Sequence, residues 1–139
     1  MDRPYETAEI ILQNNSDLEI KKIENLVEIS HGLWEGKLEN EIQRQWPELL
    51  KNWHENPEEV IMPSGESIKE VSERSVKAWD EICLAQKNND LTLLVAHDAV
   101  NKTLICNILG IDFSNIWMIK QGNGAVSYTH LTLPTKRIV

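Results

Sequence analysis

A chain of 139 residues is long enough for one domain with its own core and short for two. Its composition, 41% hydrophobic and 26% charged, is that of a globular protein, and no apolar run approaches a membrane span. A formal net charge of −8 argues against nucleic acid or an anionic membrane as partner, but leaves room for a small anion held by a few local cations.

In chain order, Glu6 to Gln13 reads as the end of a helix, stopped by Asn14, Asn15 and Ser16. No cleavable signal precedes it, so the expected compartment is cytoplasmic. Leu18 to Leu26 is short and mixed enough to hold a strand anchored by Ile20 and Ile23. A loop with two glycines follows, from Glu28 to Gly36. Glu39 to Glu55 is amphipathic, with Trp46, Leu49, Leu50 and Trp53 at helical spacing. Pro57 to Pro63 reads as a linker or flap.

The clearest helix is expected from about Ser67 to Lys87, with Ser64 or Ser67 as N-cap. Ile68, Val71, Val76, Trp79, Ile82 and Cys83 fall mostly on one of its faces. Leu91 to Ala96 is a near-continuous apolar run, which predicts a strand buried on both faces of a parallel sheet. His97 and Asp98 close it, and Ala99 to Leu109 restarts as a helix ending at Gly110. Helix, strand, polar turn and helix make the grammar of a layered α/β fold, whose ligands bind at the carboxyl ends of strands, where His97 sits. Cys83 and Cys106 lie far apart among apolar residues and form no C-x-x-C, which predicts reduced thiols. Asn123 to Ser127 looks like the start of another strand. The tail from 128 to 139 breaks the pattern, with Pro134 where a strand should run. It resembles the read-through peptides that adapter sequence leaves on assembled genes, and is read as non-native.

Four blocks, in order, carry a family resemblance. Arg3-Pro4-Tyr5-Glu6-Thr7-Ala8 resembles R-A-x-x-T-A, and Leu26-Val27-Glu28 with Gly32-x-Trp34-Glu35-Gly36 resembles L-x-E-x-x-x-G-x-W-E-G. Pro63-Ser64-Gly65-Glu66-Ser67 resembles a G-G-E-S turn, and Val95-Ala96-His97 resembles the V-S-H of V-S-H-G. These are blocks of the histidine phosphatase superfamily, whose phosphoglycerate-mutase-like members the chain resembles over residues 1–127. The resemblance implies a three-layer αβα sandwich with a mostly parallel sheet. It also implies an opening strand ending in R-H-G, which carries the nucleophilic histidine and which this chain lacks. Ser30-His31-Gly32 is no substitute, since no buried strand leads into it.

On this resemblance Arg3 binds the phosphoryl group, His97 is the second active-site histidine and Glu28 is the proton donor. The residue types suit the chemistry. Arginine presents a planar donor fork matched to phosphate. A histidine can take the phosphoryl group as a covalent intermediate, and a carboxyl group can protonate the leaving oxygen and then activate water. Each residue also has a plainer reading: Arg3 as a solvated terminal residue, Glu28 as a loop carboxylate, His97 as a strand-end turn. Glu35 is expected to be structural, Trp34 to be core, and Trp46 and Trp53 to line a core face or lid. Asp98 departs from the glycine of the family pattern. Another branch uses a His-Asp pair with the aspartate as donor, so Asp98 is the rival acid to Glu28.

No cofactor and no metal are expected, there being no H-x-x-x-H or clustered Cys/His set. The segments Val95 to Thr103 and Lys120 to Gly124 look like carboxyarabinitol-phosphatase-like members, a pointer to a sugar phosphate. The expected activity of the intact domain is therefore a phosphomonoesterase on a small phosphorylated substrate, with the chain as given inactive for want of the nucleophile. A phosphoglycerate mutase and a non-catalytic phosphate-binding module are the alternatives. Oligomeric state is not encoded in any feature of the sequence.

Overall fold

The computed structural model describes residues 3–13, 18–87 and 91–122. Five α-helices follow one another among them: α1 (Arg3–Leu12), α2 (Glu39–Gln45), α3 (Pro47–Glu55), α4 (Ile68–Ala85) and α5 (Asp98–Leu109). Short 3-10 turns occupy Glu24–Leu26, Gly32–Trp34, Pro57–Glu59 and Phe113–Met118.

The expected αβα sandwich is not what forms. Among the described residues there is no β-strand and no sheet, only an isolated antiparallel bridge between Ile61 and Ser67. Leu91 to Ala96, read as a strand buried on both faces, is an irregular connector on the helical core. Leu94 and Ala96 pack against that core, while Leu91 and Leu93 stand 85% and 58% exposed. A strand exists through its ladder of hydrogen bonds to a neighbour, and among the described residues no such ladder forms along this stretch. The stretch from Leu18 to Leu26 likewise ends in a 3-10 turn. The expected strand at 123–127 and the tail at 128–139 lie outside the described residues.

The core is built on the pairing of α4 with α5. Helix α4 begins at a full capping box: the Ser67 hydroxyl accepts from the Glu70 N–H, and the Glu70 carboxylate accepts from the Ser67 N–H. Its buried stripe runs through Ile68, Val71, Ser72, Ser75 and Ala78, whereas Val76, Trp79, Ile82 and Cys83 are only half-buried. The expected face is rotated because small side chains let α5 approach closely. The buried hydroxyls are satisfied locally, Ser75 donating to the Ser72 carbonyl and Thr103 to the Val100 carbonyl. Asn107 then donates to the Ser72 hydroxyl across the helix pair at 2.8 Å.

Met62, Ile68, Val71, Val100, Cys106 and Ile116 are fully enclosed, and Trp34, Ile42 and Leu50 close the core beneath α2 and α3. Trp53 links it to the C-terminal 3-10 turn, its carbonyl accepting from the Trp117 indole N–H at 2.7 Å. Both cysteines are free thiols, and burial pushes the pKa of each upward. No described helix is long and apolar enough to cross a membrane.

Candidate active site

The segment carrying Glu28 has no regular structure and so no backbone ladder of its own. Its placement comes from outside, through α4. Arg74 donates from Nη1 to the carbonyls of Asn25 and Val27 at 2.9 and 2.7 Å, and from Nη2 to the carbonyl of Glu28 at 3.2 Å. The same guanidinium holds both carboxylate oxygens of Glu66, at 2.8 Å from Nε and 3.1 Å from Nη2. Glu66 in turn accepts from the Ser30 N–H with its side chain and donates from its own N–H to the Ser30 carbonyl.

Two glycines let the loops meet. A Cβ on Gly32 would lie 2.2 Å from the Pro63 carbonyl oxygen, and one on Gly65 would lie 2.5 Å from the Ser30 carbonyl oxygen. Gly32 also has φ +53°, in the left-handed region that suits glycine. The Leu33 N–H donates to the Pro63 carbonyl at 2.8 Å, sealing the crossing.

His97 arrives from the opposite side. It caps the N-terminus of α5 with extended backbone, and its carbonyl accepts from the Asn101 N–H. Its Nδ1 lies 3.5 Å from Glu28 Oε2, with the two side chains 15% and 33% exposed. The other Glu28 oxygen accepts from the Ile29 N–H. Two residues 69 positions apart, each marked by its motif in the sequence, thus meet at a partly open rim. An imidazole and a carboxylate at this separation can pass a proton to a bound molecule and hold it in register.

Arg3 is not part of that pair. It is exposed, at the start of α1, where the Thr7 hydroxyl donates back to the Arg3 carbonyl and closes the R-x-x-x-T turn. It lines an open groove of about 630 Å³ together with His31, Trp34, Glu35, Trp53 and His54; Glu28 and His97 lie outside this lining. The His31 ring stands edge-on to Trp53, with Nδ1 3.0 Å from the sulfur of buried Met62. Trp34 is core, and Glu35 accepts from the Ser30 hydroxyl.

Asp98 is occupied elsewhere. Its carboxylate lies 2.7 Å from the Lys102 ammonium one turn along α5, and the Lys102 side chain is only 12% exposed. Lys102 also sits 5.3 Å from the Trp117 ring centroid, so its charge is held between an aspartate and an aromatic face. No group of three His, Cys, Asp or Glu among the described residues could hold a metal ion.

Sequence reasoning misses Arg74. Glu66 stands out in the sequence only as part of a turn, and an arginine beside an apolar helical stripe reads as a solvated residue. The signal available is the eight-residue spacing from Glu66, which sets the two on one side of the helix start.

Burial works to raise the Glu66 pKa. The Arg74 hydrogen bonds, the Ser30 N–H and the Arg74 charge outweigh it, leaving the carboxyl below its ordinary value of 4.5. A depressed folded-state pKa means the stabilisation is complete above the unfolded value and is lost as pH falls through the folded one. Acid melts of Glu66→Gln should therefore be flatter than those of the parent below about pH 4.5. Parallel curves through that range would show that the Glu66 carboxylate contributes nothing.

The family model described as histidine phosphatase superfamily (branch 1) matches residues 1–139. Phosphoserine phosphatase 1 of Hydrogenobacter thermophilus is 31% identical over 131 residues, covering 94% of this chain and 61% of the relative. A probable 2-carboxy-D-arabinitol-1-phosphatase of Arabidopsis thaliana is 30% identical over 127 residues, covering 91% of this chain and 26% of the relative. Among solved structures, Bacillus stearothermophilus YhfR aligns with a TM-score of 0.77 at 30% identity, over 83% of this chain and 56% of that one. The chain spans about three fifths of the length of the Hydrogenobacter relatives it matches.

Proposed function

The chain belongs to branch 1 of the histidine phosphatase superfamily, and from that premise we propose that it serves a phosphomonoesterase working through a phosphohistidine on a small organic phosphate. The observation that carries this reading is the 3.5 Å approach of Glu28 to His97. With Nδ1 turned toward Glu28, Nε2 is the ring atom left for a phosphoryl oxygen. In this reading His97 steadies the charge that develops on the transferring group. Glu28 protonates the leaving alkoxide and then takes a proton from the water that hydrolyses the phosphoenzyme. In this reading Arg3 supplies a donor fork for the phosphate, as the arginine of the R-A-x-x-T-A pattern does.

The named relatives act on phosphoserine and on carboxyarabinitol phosphate, and both are small phosphate esters that also carry a carboxylate.

The 139 residues contain no Arg-His-Gly, so the attacking histidine of the family pattern is not among them. The chain by itself is therefore expected to bind phosphate without turning it over. Incubation with a 32P-labelled ester, quenched in alkaline SDS because phosphohistidine is acid-labile, should leave the isolated chain unlabelled. A hybrid in which the R-H-G-bearing segment of a relative precedes residue 1 should retain label on that histidine. Stable label on His97 or His31 of the isolated chain would overturn the assignment of roles.

A further inference from the structure

We propose that Arg74 and Glu66 are positioning residues, whose task is to hold the Glu28 carboxylate at His97. The inference rests on the reading of Glu28 as the proton donor. Its basis is a complete donor inventory. A guanidinium has five N–H bonds, and Arg74 spends all five: two from Nη1 on the carbonyls of Asn25 and Val27, two from Nη2 on the Glu28 carbonyl and Glu66 Oε2, and one from Nε on Glu66 Oε1. None is left for a phosphate, so Arg74 acts on the site through other residues.

The carbonyls it grips belong to the arc that delivers Glu28, one of them to Glu28 itself. Glu66 completes the bracket from the far side, through the N–H and the carbonyl of Ser30. The arc from Asn25 to Ser30 is thus held on both sides of residue 28, and after the 3-10 turn at Glu24–Leu26 no helix or strand fixes its backbone up to Ser30. The Arg74 side chain is 17% exposed and the Glu66 side chain 27%, so solvent competes little for these bonds. Lysine cannot replace this fork, because three donors radiating from one nitrogen cannot span three carbonyls and a carboxylate. Small misplacements of a catalytic group are costly: a shift of about 1 Å can lower a rate by about 10²-fold.

A merely structural Arg74 would tie α4 to the loop without controlling where Glu28 points. The two cases separate in the ring signals of His97, followed by 13C and 15N NMR on the 139-residue chain and assigned with His97→Asn. In the parent, Glu28→Gln should shift those signals, because the carboxylate sits against Nδ1. In Arg74→Met the ring signals should already have moved, and adding Glu28→Gln should change them no further. Arg74→Lys and Glu66→Gln, which keep most of the bulk, should each shrink the Glu28→Gln shift and carry the test if Arg74→Met unfolds. Val71→Ala, a core truncation on the same helix, should keep the full shift despite its lost stability.

A full Glu28→Gln shift in the Arg74 and Glu66 variants would overturn the proposal, as would no shift in the parent. Turnover is not read in this experiment. A hybrid that fails to form a phosphoenzyme would sink the phosphatase reading while leaving the NMR result intact.

Discussion

Gly32→Ala is expected to lower stability by on the order of 3 kcal/mol, a fall of roughly 10 °C in melting temperature for a chain of this size. Two costs combine. The added methyl would lie 2.2 Å from the Pro63 carbonyl oxygen and 2.5 Å from the Gly65 nitrogen, and all of these contacts are backbone. Backbone cannot rotate out of the way, so the 30–32 and 63–65 loops must part. That strains or breaks the Leu33–Pro63 and Glu66–Ser30 hydrogen bonds that seal the crossing. The second cost is conformational, since φ +53° disfavours any residue with a Cβ.

Gly36 provides the control. It has φ +73°, but a methyl added there would meet no atom within 4 Å, so Gly36→Ala should show the conformational cost alone, about 1–2 kcal/mol. Thermal melts of the two variants side by side isolate the steric contribution. Equal losses would mean that the loops do not cross at the distance described.

The parts of the site that are legible in the sequence are those whose chemistry is written in short motifs. Glu28 and His97 each stand at a recognisable place in a block, and the fold brings them within 3.5 Å. Arg3 is legible as a residue type but not as a position. A motif names a donor; only the path of the chain decides which cavity that donor lines, and Arg3 lines the groove of His31 and Trp53. Arg74 is illegible for a further reason. It works through backbone carbonyls, which every residue has, so nothing in its partners' identities marks them.

The error over Leu91 to Ala96 has its own cause. A continuous apolar run carries no periodicity, so it cannot distinguish a strand inside a sheet from a connector pressed on one side against helices. Exposure decides the matter: Leu91 and Leu93 face outward while Leu94 and Ala96 face the core. The free state of the cysteines, by contrast, agrees with the expectation from their apolar surroundings and the lack of a C-x-x-C.

The choice between the two acids is settled by leaving-group dependence, measured in the hybrid carrying an R-H-G segment. Glu28→Gln keeps the shape of the side chain but cannot donate a proton. For an ester with a poor leaving group, kcat should fall by roughly 10²–10⁴-fold. With p-nitrophenyl phosphate the phenolate departs without protonation, so the phosphorylation step should be far less affected. Asp98→Asn should behave differently, because Asp98 has a structural partner. Its carboxylate neutralises a Lys102 ammonium whose side chain is only 12% exposed. Removing that charge takes the paired carboxylate from a nearly buried cation, which destabilises the start of α5, the helix that His97 caps. The expected signature is a lower melting temperature and a modest loss of activity that is the same for both esters. The two variants, each assayed on both substrates, therefore give opposite patterns. Strong leaving-group dependence in Asp98→Asn, with none in Glu28→Gln, would make Asp98 the proton donor and reduce the Glu28–His97 contact to a structural one.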